Sequence, residues 1–304
     1  MIKVSKNQAI YIGVAVVIVL WVAWALFRES PVSVDTALSS RGRMTVTVDG
    51  EGKTRARVKN TITAPIAGRM TRIKLLEGDR IPHDFPIAEI DPNPPVQRAP
   101  NAYDDRPNIY AAKVFAPMAG TVLRIYQKTE GFVTAGTPLI EIGDPENIEI
   151  VVDILSTDAV KIPPGAPMII ANNDISEPLY ARVHLIEPQA ITKVSALGVE
   201  EQRVNVIGEF AAKSPKYGDN FRIDVKIVVW DAENVLTVPS SALFRSGDDW
   251  NVFVIEAGRA RQKVIKAGRQ NAENTQILEG IGEGETVILH PPSNLTDGVK
   301  VSSR

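Results

Sequence analysis

The chain writes one pattern twice. "ITAPIAGRMTRIKLLEGDRIPHDFPIAEIDPN" returns at residues 114–146 as "VFAPMAGTVLRIYQKTEGFVTAGTPLIEIGDPE". Ala64, Pro65, Ala67, Gly68, Arg72, Ile73, Glu77, Gly78, Pro86, Glu89 and Ile90 correspond to Ala116, Pro117, Ala119, Gly120, Arg124, Ile125, Glu130, Gly131, Pro138, Glu141 and Ile142. Each copy runs 27 residues from Ala-Pro to Glu-Ile; the second has one extra residue before its Glu-Gly and one fewer after it. A turn absorbs that difference without moving the flanking strands. One pair of copies is too few for a solenoid, so two halves folding against each other is the simpler expectation.

Around the repeat the text alternates apolar and polar side chains in short runs bounded by Gly, Pro, Asn and Asp, the signature of β structure. "MTVTVDGEGKTRARVKNTITAP", "ENIEIVVDI", "PMIIANND", "ARVHLIEP", "QRVNVIGEF" and "FRIDVKIVVW" are expected strands, rich in Val and Ile. "STDAVKI" can hold one short helix, with a Ser or Thr as its cap and Asp158 in its first turn. "NVFVIEAGRARQKVIKAG" reads as a hairpin turning at Ala257 and Gly258, and "ETVIL" as a late strand. The two copies read as hairpin-like units with "LLEGD" and "KTEGF" as turns, Gly78 and Gly131 supplying a positive φ. Between them Asp91–Lys113 carries Pro92, Pro94, Pro95, Pro100 and Pro107, which forbid a continuous helix and imply an extended exposed loop.

"AIYIGVAVVIVLWVAWALF", Ala9 to Phe27, is 19 residues without charge or proline. As a helix it would span about 28 Å, close to the ~30 Å hydrocarbon core. Lys3 and Lys6 precede it while Arg28 is offset by Glu29, so the positive-inside rule leaves the N-terminus cytoplasmic and the body outside. Trp21 and Trp24 fall where an aromatic belt would lie on the outer side. "AWA" at Ala23 to Ala25 resembles a signal-peptide cleavage site, but the apolar run exceeds a signal peptide's typical h-region, which favours a retained anchor; either way the body is exported. The net charge of −2 argues against nucleic acid, and zero cysteines exclude disulfides, thiolate metal sites and cysteine nucleophiles.

The doubled "AP-x-AG … EG … P-(L/I)-x-EI", followed by "IGDPENIEIVVDILSTDAVKIPPGAPM", "TKVSALGVEEQRVNV" and "VLTVPSSALF", resembles the periplasmic adaptor, or HlyD-type membrane fusion, family. The resemblance implies a mainly β fold: an N-terminal transmembrane helix, a split lipoyl-like (barrel-sandwich hybrid) domain, a β-barrel domain and a membrane-proximal β domain. Carried onto this chain, residues 1–30 hold the cytoplasmic tip and anchor. The lipoyl-like domain takes 58–145, with halves 61–91 and 113–145 around a loop at 92–112. The barrel takes 146–237, and 31–57 with 238–304 form the membrane-proximal domain. Family members usually carry a long coiled-coil hairpin between the halves, which meets an outer-membrane channel; the proline-rich loop here has no heptads, which puts that contact in question.

The implied partners are an inner-membrane transporter of RND or ABC type and other copies of the chain in a ring around an export path. In the family a lipoyl-domain turn points toward the ring axis. Here that turn is "YQKTEG", with Gln127, Lys128 and Thr129 offering hydrogen-bonding groups to a lumen or, equally, to bulk solvent. Gly68, Gly78, Gly120 and Gly131 are the repeat's turn candidates. An envelope scaffold without transport coupling is the second reading.

Enzyme chemistry finds little support. A swinging-arm carrier displays its lysine on a tight turn, whereas Lys113 sits at the end of a long loop. His83, His184 and His290 lack metal-site spacing. "GIGEGE" leads into a strand-like run rather than a helix, so it reads as a turn and not a phosphate loop. "NLT" at Asn294 is a formal sequon of little weight. No cofactor is expected.

Overall fold

The computed structural model describes residues 31–92, 111–171, 178–212 and 217–304. The apolar stretch Ala9 to Phe27, with Trp21 and Trp24, and residues 93–110 of the proline-rich segment lie outside the described residues. Among the described residues no helix is long and apolar enough to cross a membrane. They fold almost entirely as β strands, in two compact units: 47–229, and 31–46 together with 230–304.

In chain order β1 (Val32–Val34), β2 (Thr36–Leu38) and β3 (Ser40–Ala56) precede the repeat. The first copy supplies β4 (Lys59–Thr63), β5 (Gly68–Met70), β6 (Arg80–Ile81) and β7 (Pro86–Asp91). The second supplies β8 (Ala112–Phe115), β9 (Gly120–Ile125), β10 (Gly131–Val133) and β11 (Pro138–Gly143). They form two four-stranded sheets with the orders β10-β5-β7-β8 and β4-β11-β9-β6. Exchanging each strand for its repeat partner converts one order into the other, so the sandwich has a pseudo-twofold and each sheet takes two strands from each copy.

The hairpin expectation is therefore corrected. β5 pairs β7 and β6 pairs β9, so the "LLEGD" segment crosses from one sheet to the other instead of turning between paired neighbours. "KTEGF" does the same, because β9 pairs β11 while β10 pairs β5. Met70, Ile73, Ile90, Leu139, Ile140 and Ile142, drawn from both copies, are fully buried in the shared core.

After the repeat come β12 (Ile148–Leu155), the helical turn α1 (Ser156–Ala159), β13 (Pro167–Ala171), β14 (Leu179–Ile186), β15 (Ile191–Val194), β16 (Glu200–Phe210) and β17 (Arg222–Pro239). Strands β13-β14-β16-β12-β3-β17 lie side by side in that order, and a further pairing of β13 with β17 closes them into a six-stranded barrel. Alternation on β12 sends Ile148, Ile150, Val152 and Ile154 inward, where they meet Met168, Ile170, Val206, Val225 and Ile227. The expected capping hydroxyl at α1 is not used: Leu155 occupies the cap position without a side-chain bond, while Lys161 Nζ reaches Asp158 at 2.7 Å.

The remaining strands are β18 (Leu243–Ser246), β19 (Asp249–Glu256), β20 (Arg259–Gln270), β21 (Asn274–Glu279), β22 (Thr286–Ile288) and β23 (Val301–Ser303). In the unit of 31–46 and 230–304, β17-β21-β20-β19-β22-β2 run side by side, and β1 pairs β23 in parallel. β19 and β20 make the expected hairpin, with Ala257 at φ 51° and Gly258 at φ 75°, the two positive values a type I′ turn requires. The late strand expected at "ETVIL" is β22.

The expected domain limits shift at two places. Residues 146–229 supply only five of the barrel's strands, so closure needs β3, and 47–56 belong to the barrel's unit rather than to a membrane-proximal domain ending at 57. At the other end 230–237 belong with the C-terminal strands rather than with the barrel.

Candidate functional site

The segment carrying Gln127, Lys128 and Thr129 leaves the end of β9 and crosses to β10. Its backbone is pinned at both sides. The amides of Tyr126 and Gln127 both donate to the Leu139 carbonyl, at 2.8 and 3.3 Å, and the Lys128 carbonyl accepts from Ile73 N at 3.3 Å. Gln127 is half-buried against Gly131, whereas Lys128 and Thr129 are exposed. Arg69 closes the far side with an exposed ion pair to Glu130 at 3.4 Å.

The equivalent crossing in the first copy is held differently. Gly78 N donates to Val122 O at 2.8 Å and Val122 N to Asp79 O at 2.9 Å, while Glu77 Oε1 accepts from Ile125 N at 3.2 Å. Gly78 takes the expected positive φ, 96°. Gly131 does not; it opens β10, and the second copy's positive φ falls at Gly136, 86°, which matches Asp84, 60°, in the first copy. Gly68 and Gly120 are not turn residues either. They open β5 and β9 at the same point of the repeat, where another strand passes too close for a side chain. A Cβ on Gly68 would lie 2.4 Å from Asp91 O, and one on Gly120 2.7 Å from Ile142 Cγ2.

Next to Gln127, Tyr126 borders a cleft that sequence reasoning missed. Its hydroxyl donates to Glu141 Oε2 at 3.0 Å, and the Arg124 guanidinium lies over its ring at 5.0 Å. Glu141, only 9% exposed, receives Lys59 Nζ at 2.9 Å on its other oxygen, and Lys59 also reaches Asp219 Oδ2 at 3.2 Å. Asp219 accepts from Ala56 N at 2.6 Å, so the network ties the sandwich to the barrel strand β3 and to the segment before β17. Burial works against the charged ammonium of Lys59, but its bonds to Glu141 and Asp219 outweigh that and hold its pKa above the ordinary 10.5. The bond to Glu141 likewise raises the Tyr126 phenol.

This network is an electrostatic clasp, and nothing in it supplies a nucleophile with an activating base. The repeat gave a partial signal: Glu141 matches Glu89, yet Glu89 is exposed on β7 while Glu141 is buried on β11. Lys113, the carrier-type candidate, stands within β8 opposite Glu89 and not on a turn. Each histidine has partners of its own: His83 contacts Asp84 at 2.9 Å, His184 faces Glu209 at 3.7 Å, and His290 donates its amide to Ser241. Among the described residues no cluster of metal-ligating side chains occurs. "GIGEGE" is a turn that wraps buried Ser39, whose hydroxyl donates to Gly282 O at 2.7 Å and accepts from Glu285 N at 2.9 Å.

Residues 235–303 match the family model of the YknX C-terminal permuted SH3-like domain. The putative efflux system component YknX of Bacillus subtilis (strain 168) is 24% identical over 201 residues, 63% of this chain and 52% of that protein. The multidrug resistance protein MdtA of Proteus mirabilis (strain HI4320) is 18% identical over 198 residues, 62% of this chain and 47% of its own. The chain thus spans about half the length of the curated relatives it matches. Among solved structures, MacA from Actinobacillus actinomycetemcomitans superposes with a TM-score of 0.61 at 17% identity, over 84% of this chain and 99% of that one.

The chain is similar to the periplasmic adaptor proteins of efflux systems. The fold shared with MacA is the mainly β body with its barrel. Adaptor proteins of this kind are structural subunits rather than enzymes, in line with the absence of catalysis expected from the sequence.

Proposed function

We propose that this chain is a membrane-anchored periplasmic adaptor subunit that couples an inner-membrane transporter, of RND or ABC type, to export across the envelope. The observation that carries the reading is the sandwich built from two interleaved copies and followed by a closed six-stranded barrel, the body it has in common with MacA. The likeness to YknX, a putative efflux system component, and to the multidrug resistance protein MdtA supports the export role. In this reading copies of the chain assemble into a ring, Gln127, Lys128 and Thr129 face its lumen, and the apolar stretch from Ala9 to Phe27 is the single-pass anchor. The mechanism is mechanical: bodies joined by paired strands pass the transporter's state along and line a conduit.

The proline-rich connection between the copies favours a second reading, an envelope scaffold that lacks the channel-docking hairpin. Crosslinking living cells that carry a C-terminally tagged chain, followed by denaturing purification and mass spectrometry, separates the two. Recovery of a polytopic transporter supports the adaptor; recovery of the chain alone or of unrelated envelope proteins overturns it in favour of the scaffold.

A further inference from the structure

β15 and the first residues of β16 form an arm beyond the closed barrel wall. Residues Ile191 to Val194 pair Arg203 to Glu200, and the chain reverses through Ser195–Val199 with Gly198 at φ 79°. Barrel closure gives β13, β14, β16, β12, β3 and β17 a neighbour on each side, but among the described residues no strand lies along the outer edge of β15. An open edge presents a row of unpaired amides and carbonyls ready to pair with another strand.

Native proteins guard such edges with charged side chains, above all lysine, with proline or bulges, or by keeping the strand very short. The stretch from Ala190 to Val194 contains no proline or glycine, and its single charge, Lys193, is turned back onto Asp153 of β12. Beside Thr192 and Lys193 it shows apolar side chains to solvent: Ile191, Val194 at 68% exposure, and around the turn Val199 and Leu197, the latter 91% exposed. The arm is already stiff, because the Lys193–Asp153 pair, the Gln202 to Thr192 bond of 2.7 Å and the Ser195–Val199 bond of 2.8 Å hold it before any partner arrives. A preformed strand that lacks proline and holds its one charge in an ion pair is suited to pairing at little ordering cost.

We infer that this edge pairs with the same edge of a second copy of the chain. The sequence is complementary to itself in the antiparallel register centred on Thr192. A twofold axis normal to the sheet keeps each face on its own side, so only residues of equal parity stand opposite each other. Centring the axis on Thr192 sets Thr192 against its own symmetry mate and Val194 against Ala190 on one face. On the other face Ile191 lies against the aliphatic stem of Lys193. Threonine pairs and aliphatic pairs are favourable cross-strand neighbours, and no like charges meet, since each Lys193 ammonium is already satisfied by its own Asp153. Centring on Lys193 would instead oppose two lysines. The contact is isologous and closes after two copies; it is separate from the head-to-tail contacts of a ring and does not depend on the efflux reading.

The chain has no cysteine, so single-cysteine variants report cleanly. Opposed residues of an antiparallel pair lie ~4.5–5.5 Å apart at Cα, within the reach of a disulfide. In cells producing the Thr192→Cys chain, mild oxidation is expected to convert most of it to a disulfide dimer. Thr61→Cys, on the exposed face of β4, is expected to stay monomeric on denaturing gels. Adding Val194→Lys, which opposes a charge to Ala190 and leaves the barrel core untouched, is expected to cut the Thr192→Cys dimer at least tenfold. The inference is overturned if Thr192→Cys gives no dimer, if it couples to a different protein, if Thr61→Cys crosslinks equally, or if Val194→Lys leaves the yield unchanged.

Discussion

Gly68 and Gly120 hold the same place in the repeat but different neighbours, and the difference sets what each tolerates. A methyl at residue 68 meets the Asp91 carbonyl, which cannot move without shifting β7; at residue 120 the first atom met is a side-chain methyl of Ile142. Gly68→Ala is expected to cost about 1–3 kcal/mol or more and Gly120→Ala less, by urea unfolding followed through amide exchange of the sandwich. Gly131→Ala, whose nearest foreign atom would be Gln127 Nε2 at 3.8 Å, is expected to stay within about 0.5 kcal/mol. Ser39→Ala leaves the half-buried Glu285 amide without its acceptor and is expected to lower stability by about 1 kcal/mol. If the crossing segment lines a lumen, Gln127→Ala changes export or leakage in a transport assay while folding and oligomer size stay as they were; an unchanged rate counts against that role. Sequence reasoning located the glycines by their recurrence, but recurrence marks a shared backbone need without saying whether that need is a turn or a close approach. Only strand pairing, a long-range property, separates the two.

Elements made of local alternation were legible. β12, β14, β16 and the β19–β20 hairpin stand where the period-2 pattern and the Ala-Gly turn put them. Sheet membership was not legible, because "LLEGD" has the chemistry of a hairpin turn whether its flanking strands pair with each other or with the other copy. The clasp of Lys59, Glu141, Asp219 and Tyr126 joins residues from four separate stretches, and no spacing rule connects them. Lys59→Met removes the cation beside a buried carboxylate, and faster amide exchange in β4 and 217–221 is expected together with a loss of about 1–3 kcal/mol. In the unit of 31–46 and 230–304 the sign of a pH effect can be worked out. Burial disfavours the Glu285 carboxylate, but Lys263 at 2.8 Å and the Gly282 amide at 2.7 Å prevail and hold its pKa below the ordinary 4.5. Its contribution is therefore whole above pH 4.5 and is lost as the pH falls through the depressed value. Glu285→Gln should accordingly lower stability at pH 7, with the gap to the parent chain closing below pH 4.5 in denaturant titrations.

At the scale of the whole molecule, the reading of a mainly β body with a barrel came from a run of short motifs that resemble one family, and the fold shared with MacA agrees with it. The limits between bodies were harder to see, since β3 and β17 each serve two units and no linker composition marks where one ends. The interleaving of the two copies also fixes how the molecule comes into being. Each sheet borrows strands from a stretch that lies 52 residues further along the chain, so the first copy has no complete sheet of its own to enter when its last residue is made. At ~5–20 residues per second it waits roughly 3–10 s with Met70, Ile73 and Ile90 uncovered. During that interval its fate rests with whatever holds unfinished chains, and a stall in synthesis between the copies would leave an orphan that only degradation can resolve.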